Sequence, residues 1–498
     1  MNHLINELIA YGIHNQLINT EDIDYSANLL IDLLQIDEFE YQPSSFRKIH
    51  LILEDLLKEC VKKGLVEDNI TSKDLFDTRI MNCLLPRPSE VVSTMHNLYH
   101  HQGPKVMGDA YYRFSIASNY IRQDRIDKNI HWLNSSRYGD IEMSINLSKP
   151  EKDPKEIAKA KLVPSSNYPK CLLCKENVGF AGNFKQPARQ NHRILPVELK
   201  KDQYYMQYSP YVYYQEHCIV FNEQHIPMHI DQSTFEHLLA FIDYLPHYFL
   251  GSNADLPIVG GSILTHDHYQ GGHHHFPIEK AKVLASYTID PYPDVRVDLI
   301  EWPLSTLRLT SSSKEQLVLL GNFILQQWIQ YSDESADIQA FSGQERHNTI
   351  TPIARKVNDN YQLDLVLRNN RCNETYPDGI FHPHQDVHHI KKENIGLIEV
   401  MGLAILPARL KDEMSLVEKV LLGQMIQDPS IEKHQSWIEQ IKNKHVYTKE
   451  NVSELVKQEI GNVFVRVLED AGVYKMDEQG IQAFKKFVES VGGTEWLK

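Results

Sequence analysis

The sequence predicts an α/β (α+β) protein in which a helical N-terminal region precedes two units, each an antiparallel sheet with helices. Three observations carry this. Apolar residues recur at helical spacing as far as about Arg87. From the middle of the chain onward, β-branched and aromatic runs alternate with single amphipathic helices. That order then repeats, as a degenerate internal repeat does. The expected divisions are 1–95 for the helical region, 96–295 for the first unit, and 296–498 for the second with C-terminal helices.

A chain of 498 residues can bury two or three cores, and a formal net charge of −15 excludes a general nucleic-acid binder. No run of eighteen apolar residues occurs, and the start MNHLINELIAYGIHNQLINTEDID lacks the basic opening and small-residue cleavage site of a signal peptide. A cytoplasmic protein without a membrane partner is the expectation.

In the N-terminal region, Leu29, Leu30, Leu33 and Leu34, and then Leu51, Leu53, Leu56 and Leu57, mark apolar helix faces that read as packing surfaces. Between Pro88 and Asn146 come Tyr111, Tyr112, Arg113, Tyr120, Arg122, Arg125, Lys128 and Trp132, a basic and aromatic set that either contacts phosphates or solvates a helix. The stretch Ser144 to Ile157 then turns from alternation to a proline-broken charged run, read as a solvated loop in which Lys149 and Lys152 are available to phosphate.

Of the six cysteines, Cys60, Cys83, Cys218 and Cys372 are scattered and read as reduced thiols. Cys171 and Cys174 have the C-x-x-C spacing, which suits a tetrahedral zinc, a redox pair, or neither. A strand is expected over Tyr211 to Phe221, then a turn carrying His225. A helix over Thr234 to Phe249 follows, capped by Ser233 or Thr234.

The chemistry is expected in GGSILTHDHYQGGHHHFP, Gly260 to Pro277, where five histidines fall within ten residues. Ile263 and Leu264 read as the end of a buried strand, with glycines leaving room for a ligand. In extended backbone His266, His268 and Gln270 share one face and Asp267 and Tyr269 the other. Neutral imidazoles ligate metals or attack electrophiles, and a glutamine amide donates to a charged oxygen. A solvated, loosely metal-binding tract is the plainer alternative. A metallo-β-lactamase-like loop is a third, but Tyr269 and Gln270 stand where its Asp-His pair belongs.

The second pass runs through a strand-like Val297 to Thr310, a helical Ser313 to Ile329, and paired strands HNTITPIARKV and YQLDLVLRN. It ends in Asp364 and Val366 instead of histidines, so only the first copy is chemically equipped. HPHQDVHH, His382 to His389, reads as a loop closing over the site in preference to a metal centre.

His266-Asp267-His268-Tyr269-Gln270 resembles the H-P-H-x-Q signature of class II galactose-1-phosphate uridylyltransferases, with Asp267 in place of proline. SNYIRQDRIDKN from Ser118, INLSKPEKDP from Ile145 and HHIKKENIGLIEVMGLAILP from His388 resemble the same family. Class I enzymes and the wider histidine-triad superfamily are more distantly similar.

The resemblance implies two histidine-triad-like units and ping-pong transfer of UMP from UDP-glucose to galactose 1-phosphate. It makes His268 the nucleophile and Gln270 the residue that binds the phosphoryl oxygens. It matches Asn253 and Ser262 loosely to phosphate-holding residues, and Glu399, with Lys392 nearby, to a residue bonding sugar hydroxyls. It also implies a structural zinc on Cys171, Cys174, His225 and His266, and no iron, because Asp364 and Val366 stand where class I has paired histidines. A nucleotide-sugar phosphorylase or hydrolase using the same histidine, and a noncatalytic metal- or nucleotide-binding protein, are the alternatives. Assembly is open, a homodimer included.

Overall fold

The computed structural model describes residues 1–148, 166–261 and 263–496. Lys149, Lys152 and Ser262 therefore lie outside the described residues. The chain forms two compact units, Met1–Lys128 with Leu147–Ile226, and Asn129–Asn146 with Pro227–Lys498. Among the described residues no helix is long and apolar enough to cross a membrane.

The first unit opens with helices at Asn2–His14, Ile23–Leu34, Ile49–Lys62 and Ile70–Asn82. Their 3.6-residue period decides which leucines enter the core. Leu30 and Leu34 are buried while Leu29 is exposed, and Leu53, Leu56 and Leu57 are buried while Leu51 is exposed. The Asn69 side chain accepts from the Ser72 amide at 2.8 Å and so caps the fourth helix. Helices Pro88–Gln102 and Pro104–Ala117 are separated by Gly103, at φ 95°, with a proline opening each.

Arg122 and Arg125, which the sequence offered to phosphates or to solvent, are bound to carboxylates. Arg122 holds Asp77 at 2.6 and 2.8 Å, and Arg125 holds Asp74 at 2.6 and 2.9 Å. The unit's sheet pairs Leu195–Leu199, Asp202–Tyr208 and Cys218–Asn222 in antiparallel order. The strand expected from Tyr211 begins only at Cys218, because Ser209 to His217 closes a turn, with Ser209 N donating to His217 O at 2.7 Å and positive φ at Val212 and Glu216.

In the second unit, antiparallel neighbours run in the order Gly493–Glu495, Val283–Ile289, Tyr292–Ile300, Thr306–Ser311, Asn360–Asn369, Asn348–Val357, Phe249–Gly251 and His268–Gly272. The stretch expected as one strand over Val297 to Thr310 is two, turned back at Trp302 to Ser305, where Pro303 interrupts the run, so that Leu307 faces Leu299.

Helices Gln232–Tyr244 and Lys314–Gln330 pack on this sheet. The first is capped by Asp231, not Ser233 or Thr234: its carboxylate accepts from the Ser233 amide at 2.8 Å and the Thr234 amide at 3.4 Å. It ends at Tyr244, two residues before Pro246, and Phe249 already belongs to a strand. Trp328 anchors the second helix, its Nε1–H donating to Thr349 O at 2.9 Å.

A smaller sheet joins Ile130–Ser136 antiparallel to Gly139–Ile145, and the latter parallel to Leu403–Leu406. The Val452–Ala471 helix crosses it at Gly461, where a Cβ would lie 2.0 Å from Asn134 Cγ, so only glycine permits the approach.

Candidate active site

No strand ends at Ile263 and Leu264. From Asn253 to Gly261 and from Ile263 to Asp267 the chain forms no strand of the sheet, and the strand starts at His268. The reason lies in the glycines. A Cβ on Gly260 would sit 2.6 Å from the carbonyl oxygens of Ala254 and Leu256, and one on Gly261 would sit 2.6 Å from Asn253 Nδ2. The two glycines let the chain fold back on itself beside Asn253; the room they provide is taken by backbone and side chain rather than by a ligand.

His268 is buried and is the first residue of its strand, whose pairing sets Gly251 opposite Gln270 and Phe249 opposite Gly272. Its Nδ1 lies 2.8 Å from the carbonyl oxygen of His266. A carbonyl can only accept, so Nδ1 carries the proton and Nε2 carries the lone pair. Burial lowers the imidazole pKa, which keeps the ring neutral at physiological pH. Tyr269, on the other face, shares a 3.0 Å hydrogen bond with His237 of the Gln232–Tyr244 helix. His268 and half-buried Gln270 therefore share the face opposite that helix.

The remaining histidines of the run have other partners. His274 Nε2 donates to Glu142 at 2.9 Å, His275 pairs with Glu279 at 3.0 Å, and His273 stacks on Tyr248. In the second cluster, His388 Nε2 donates to Pro383 O at 2.8 Å, His384 Nε2 to Ile380 O at 3.1 Å, and His389 Nδ1 to Asp386 O at 3.0 Å. These rings hold turns together. His389 is buried, and burial with the neighbouring His434 ring pulls its pKa down to about 4.

Two of the residues expected to meet substrate, Asn253 and Glu399, converge on one turn, Ile395 to Glu399. Asn253 Oδ1 accepts from the Leu397 amide at 2.8 Å, and Glu399 Oε2 accepts from the Gly396 amide at 3.0 Å. Both side chains are buried. Lys392 is exposed; the lysine that pairs with Glu399 is its neighbour Lys391, which is buried and also donates to Ile405 O at 3.2 Å. Arg368, from the Asn360–Asn369 strand, donates through Nη2 to Ile395 O at 3.0 Å. Sequence reasoning passed over both. Nothing in the local pattern of KKEN or VLRN distinguishes a buried cation from a solvated one.

The candidate metal ligands begin in the first unit. Cys171 Sγ and Cys174 Sγ are 3.6 Å apart, and Cys174 Sγ is 3.2 Å from His225 Nδ1. A disulfide needs sulfurs about 2.05 Å apart, so these are free thiols. Two thiols and an imidazole at contact distance are a donor set that suits zinc. His266, fully buried in the second unit, is the fourth residue of the candidate ligand group. Among the described residues no second such group occurs, the His382 to His389 cluster included.

Comparison with known proteins identifies the family. Residues 16–227 match the family model for the galactose-1-phosphate uridyl transferase N-terminal domain, and residues 241–439 match that for the C-terminal domain. The galactose-1-phosphate uridylyltransferase of Clostridium acetobutylicum is 53% identical over 494 residues, covering 98% of this chain and 99% of that relative. The chain belongs to the galactose-1-phosphate uridylyltransferase family.

Relatives of the same name from Halalkalibacterium halodurans and Bacillus subtilis are each 49% identical, over 98% of this chain and 98% and 97% of theirs. The first domain model ends at residue 227, beside the division between Ile226 and Pro227, although Asn129–Asn146 within it belongs to the second unit. Among solved structures, yeast Ap4A phosphorylase Apa2 is similar at a TM-score of 0.33 and 11% identity over 69% of this chain and 98% of that one, too distant a likeness to argue from.

Proposed function

We propose that this nucleotidyltransferase moves the uridylyl group of UDP-glucose to galactose 1-phosphate through a covalent intermediate on His268. The observation that carries this reading is the His268 ring itself: buried, neutral, and held in one tautomer by its bond to His266 O, so that Nε2 is the nucleophilic nitrogen.

In the first half-reaction Nε2 attacks the α-phosphorus of UDP-glucose. A P–N bond forms, the bond from that phosphorus to the bridging oxygen breaks, and glucose 1-phosphate leaves with the electron pair. In the second, a phosphate oxygen of galactose 1-phosphate attacks the same phosphorus, and the P–N bond returns its electrons to Nε2. The acceptor needs no general base, because a phosphate monoester loses its second proton at a pKa of about 6. Positioning and charge stabilisation then carry the barrier reduction.

Gln270, on the face of His268, donates its amide to the phosphoryl oxygens. Asn253 has committed Oδ1 to Leu397 and offers Nδ2 to a phosphate, in the role for which Ser262 is its expected companion. Glu399, oriented by Gly396 and Lys391, accepts from sugar hydroxyls.

Zinc on Cys171, Cys174, His225 and His266 belongs to the same proposal. These four N/S side chains would hold the ion with no open position, so that it would serve structure and not chemistry, with His266 two residues from His268. Metal analysis of the purified chain should find about one zinc per chain, with thermal stability falling on chelation. A metal-free preparation with unchanged melting temperature would remove the ion from the account. Free cysteines fit a reducing compartment, and a cytoplasmic location is part of this reading. So is the repeat reading of a helical region over 1–95 followed by copies over 96–295 and 296–498.

The covalent step has a direct test. Incubation with UDP-glucose in the absence of acceptor should add the mass of a uridylyl group to the intact protein, mapping to the peptide containing His268. Galactose 1-phosphate should discharge it. No adduct, with hydrolysis of the nucleotide sugar instead, would transfer the assignment to a hydrolase.

A further inference from the structure

Arg368 is among the most deeply buried charged groups in the chain, with 1% of its surface exposed. An isolated buried cation is costly, and proteins keep one where something neutralises it. The nearest carboxylate to influence it is Glu399, and that group is already engaged by Lys391 and by the Gly396 amide. Among the described residues Arg368 has no ion pair of its own. Its Nη2 donates to Ile395 O at 3.0 Å and its Nη1 to Thr351 Oγ1 at a long 3.4 Å. Its Nε–H is buried and unpartnered among the described residues. Burial pulls the guanidinium down to about 10, still protonated at neutral pH.

Two cations, Arg368 and Lys391, thus meet around the Ile395 to Glu399 turn, and both carboxylates there, Glu399 and the exposed Glu393 at 3.6 Å, pair with Lys391, which leaves Arg368 without a carboxylate of its own among the described residues. Asn253 bonds the same turn. The sheet connects these groups to the nucleophile: Arg368 lies across from Thr349, Ile353 of that strand from Gly251, and Gly251 from Gln270.

We infer that Arg368 is a substrate-binding residue whose buried, uncompensated guanidinium is neutralised by the phosphate of the hexose 1-phosphate. Its Nε–H is the free donor, and the bond to Ile395 O aligns it with the turn carrying Glu399. One end of the cluster then binds the phosphate and the other the sugar hydroxyls. This rests on the proposed uridylyl transfer and adds to it the group that charges the acceptor subsite.

The test measures equilibrium binding of two ligands to wild type, R368M and R368K: galactose 1-phosphate, which carries the phosphate, and uridine, which does not. R368M should bind galactose 1-phosphate at least about 100-fold more weakly, the scale of a lost charge-assisted hydrogen bond in a buried site, with uridine binding unchanged. R368K keeps the charge and should stay within about 10-fold of wild type.

Wild-type affinity for galactose 1-phosphate in R368M would overturn the inference. So would a parallel loss of uridine binding, which marks a merely structural role. If R368M does not fold, R368K decides alone: selective weakening towards galactose 1-phosphate, within about 10-fold, supports the inference, and equal weakening for both ligands overturns it. Adduct formation by wild type with UDP-glucose separates the two failures, because a wild type that forms no adduct refutes the transfer reaction and not only the role of Arg368.

Discussion

Replacing His268 with glycine should abolish uridylyl transfer, by at least about 10^4-fold in kcat, the scale on which removal of a covalent nucleophile acts. The fold should survive. His268 bonds a carbonyl two residues away and, among the described residues, forms no ion pair that its loss would leave uncompensated. Far-UV circular dichroism and the melting temperature should therefore stay near wild type while the uridylyl adduct disappears. Retained transfer in a folded His268→Gly protein would remove this residue from the mechanism. The Gln270→Ala variant offers a graded comparison: a glutamine that only stabilises phosphoryl oxygens should slow the step by about 10^2 to 10^3-fold, as loss of one oxyanion donor does, while still allowing the adduct to form.

The largest effect on stability is expected at Asp364. It is fully buried where the Thr306–Ser311 and Asn360–Asn369 strands place it opposite Arg308. Arg308 grips it with two bonds of 2.8 and 2.9 Å, and Arg355 adds a third at 2.7 Å. Burial alone would raise its pKa, but the two guanidinium groups outweigh burial and hold it down to about 2.

Asp364→Asn keeps the shape and leaves two buried cations without their carboxylate, a loss of about 3–5 kcal/mol. Denaturant midpoints should show it. The same group sets a pH dependence. Its folded pKa lies below the unfolded value of about 3.9, so its contribution is full above that value and is lost as pH falls from about 4 through about 2. Wild type should lose stability across that window, and Asp364→Asn should lose correspondingly less. Parallel slopes for the two proteins would show that the carboxylate titrates elsewhere.

Much of the candidate site was legible because its chemistry is local. The alternation of His268 and Gln270 needs only an extended backbone, and the bond that sets the His268 tautomer spans two residues. The C-x-x-C pair is equally local, and Cys171 and Cys174 do face one another. Helix faces were legible for the same reason, although the run that marked Leu29 with Leu30, Leu33 and Leu34 did not show that Leu29 is exposed while Leu30 and Leu34 are buried.

Where local pattern misled, a turn or a close approach had intervened. Gly260 and Gly261 serve the chain's own return past Asn253, the Tyr211 run folds into a turn before its strand, and Asp231 outbids two hydroxyls for the cap. Carboxylates cap well because they accept strongly and complement the helix dipole.

The sequence by itself determined the secondary-structure periods, the candidate nucleophile and the family, all readable within short windows of the chain. Only the tertiary structure decided which charges are neutralised by what. Asp364 meets an arginine 56 residues away, Lys391 rather than Lys392 meets Glu399, and among the described residues Arg368 has no ion pair. Periodicity is a property of neighbours along the backbone, whereas the cost of burying a charge depends on the strand order and turns that bring distant groups within a few ångströms.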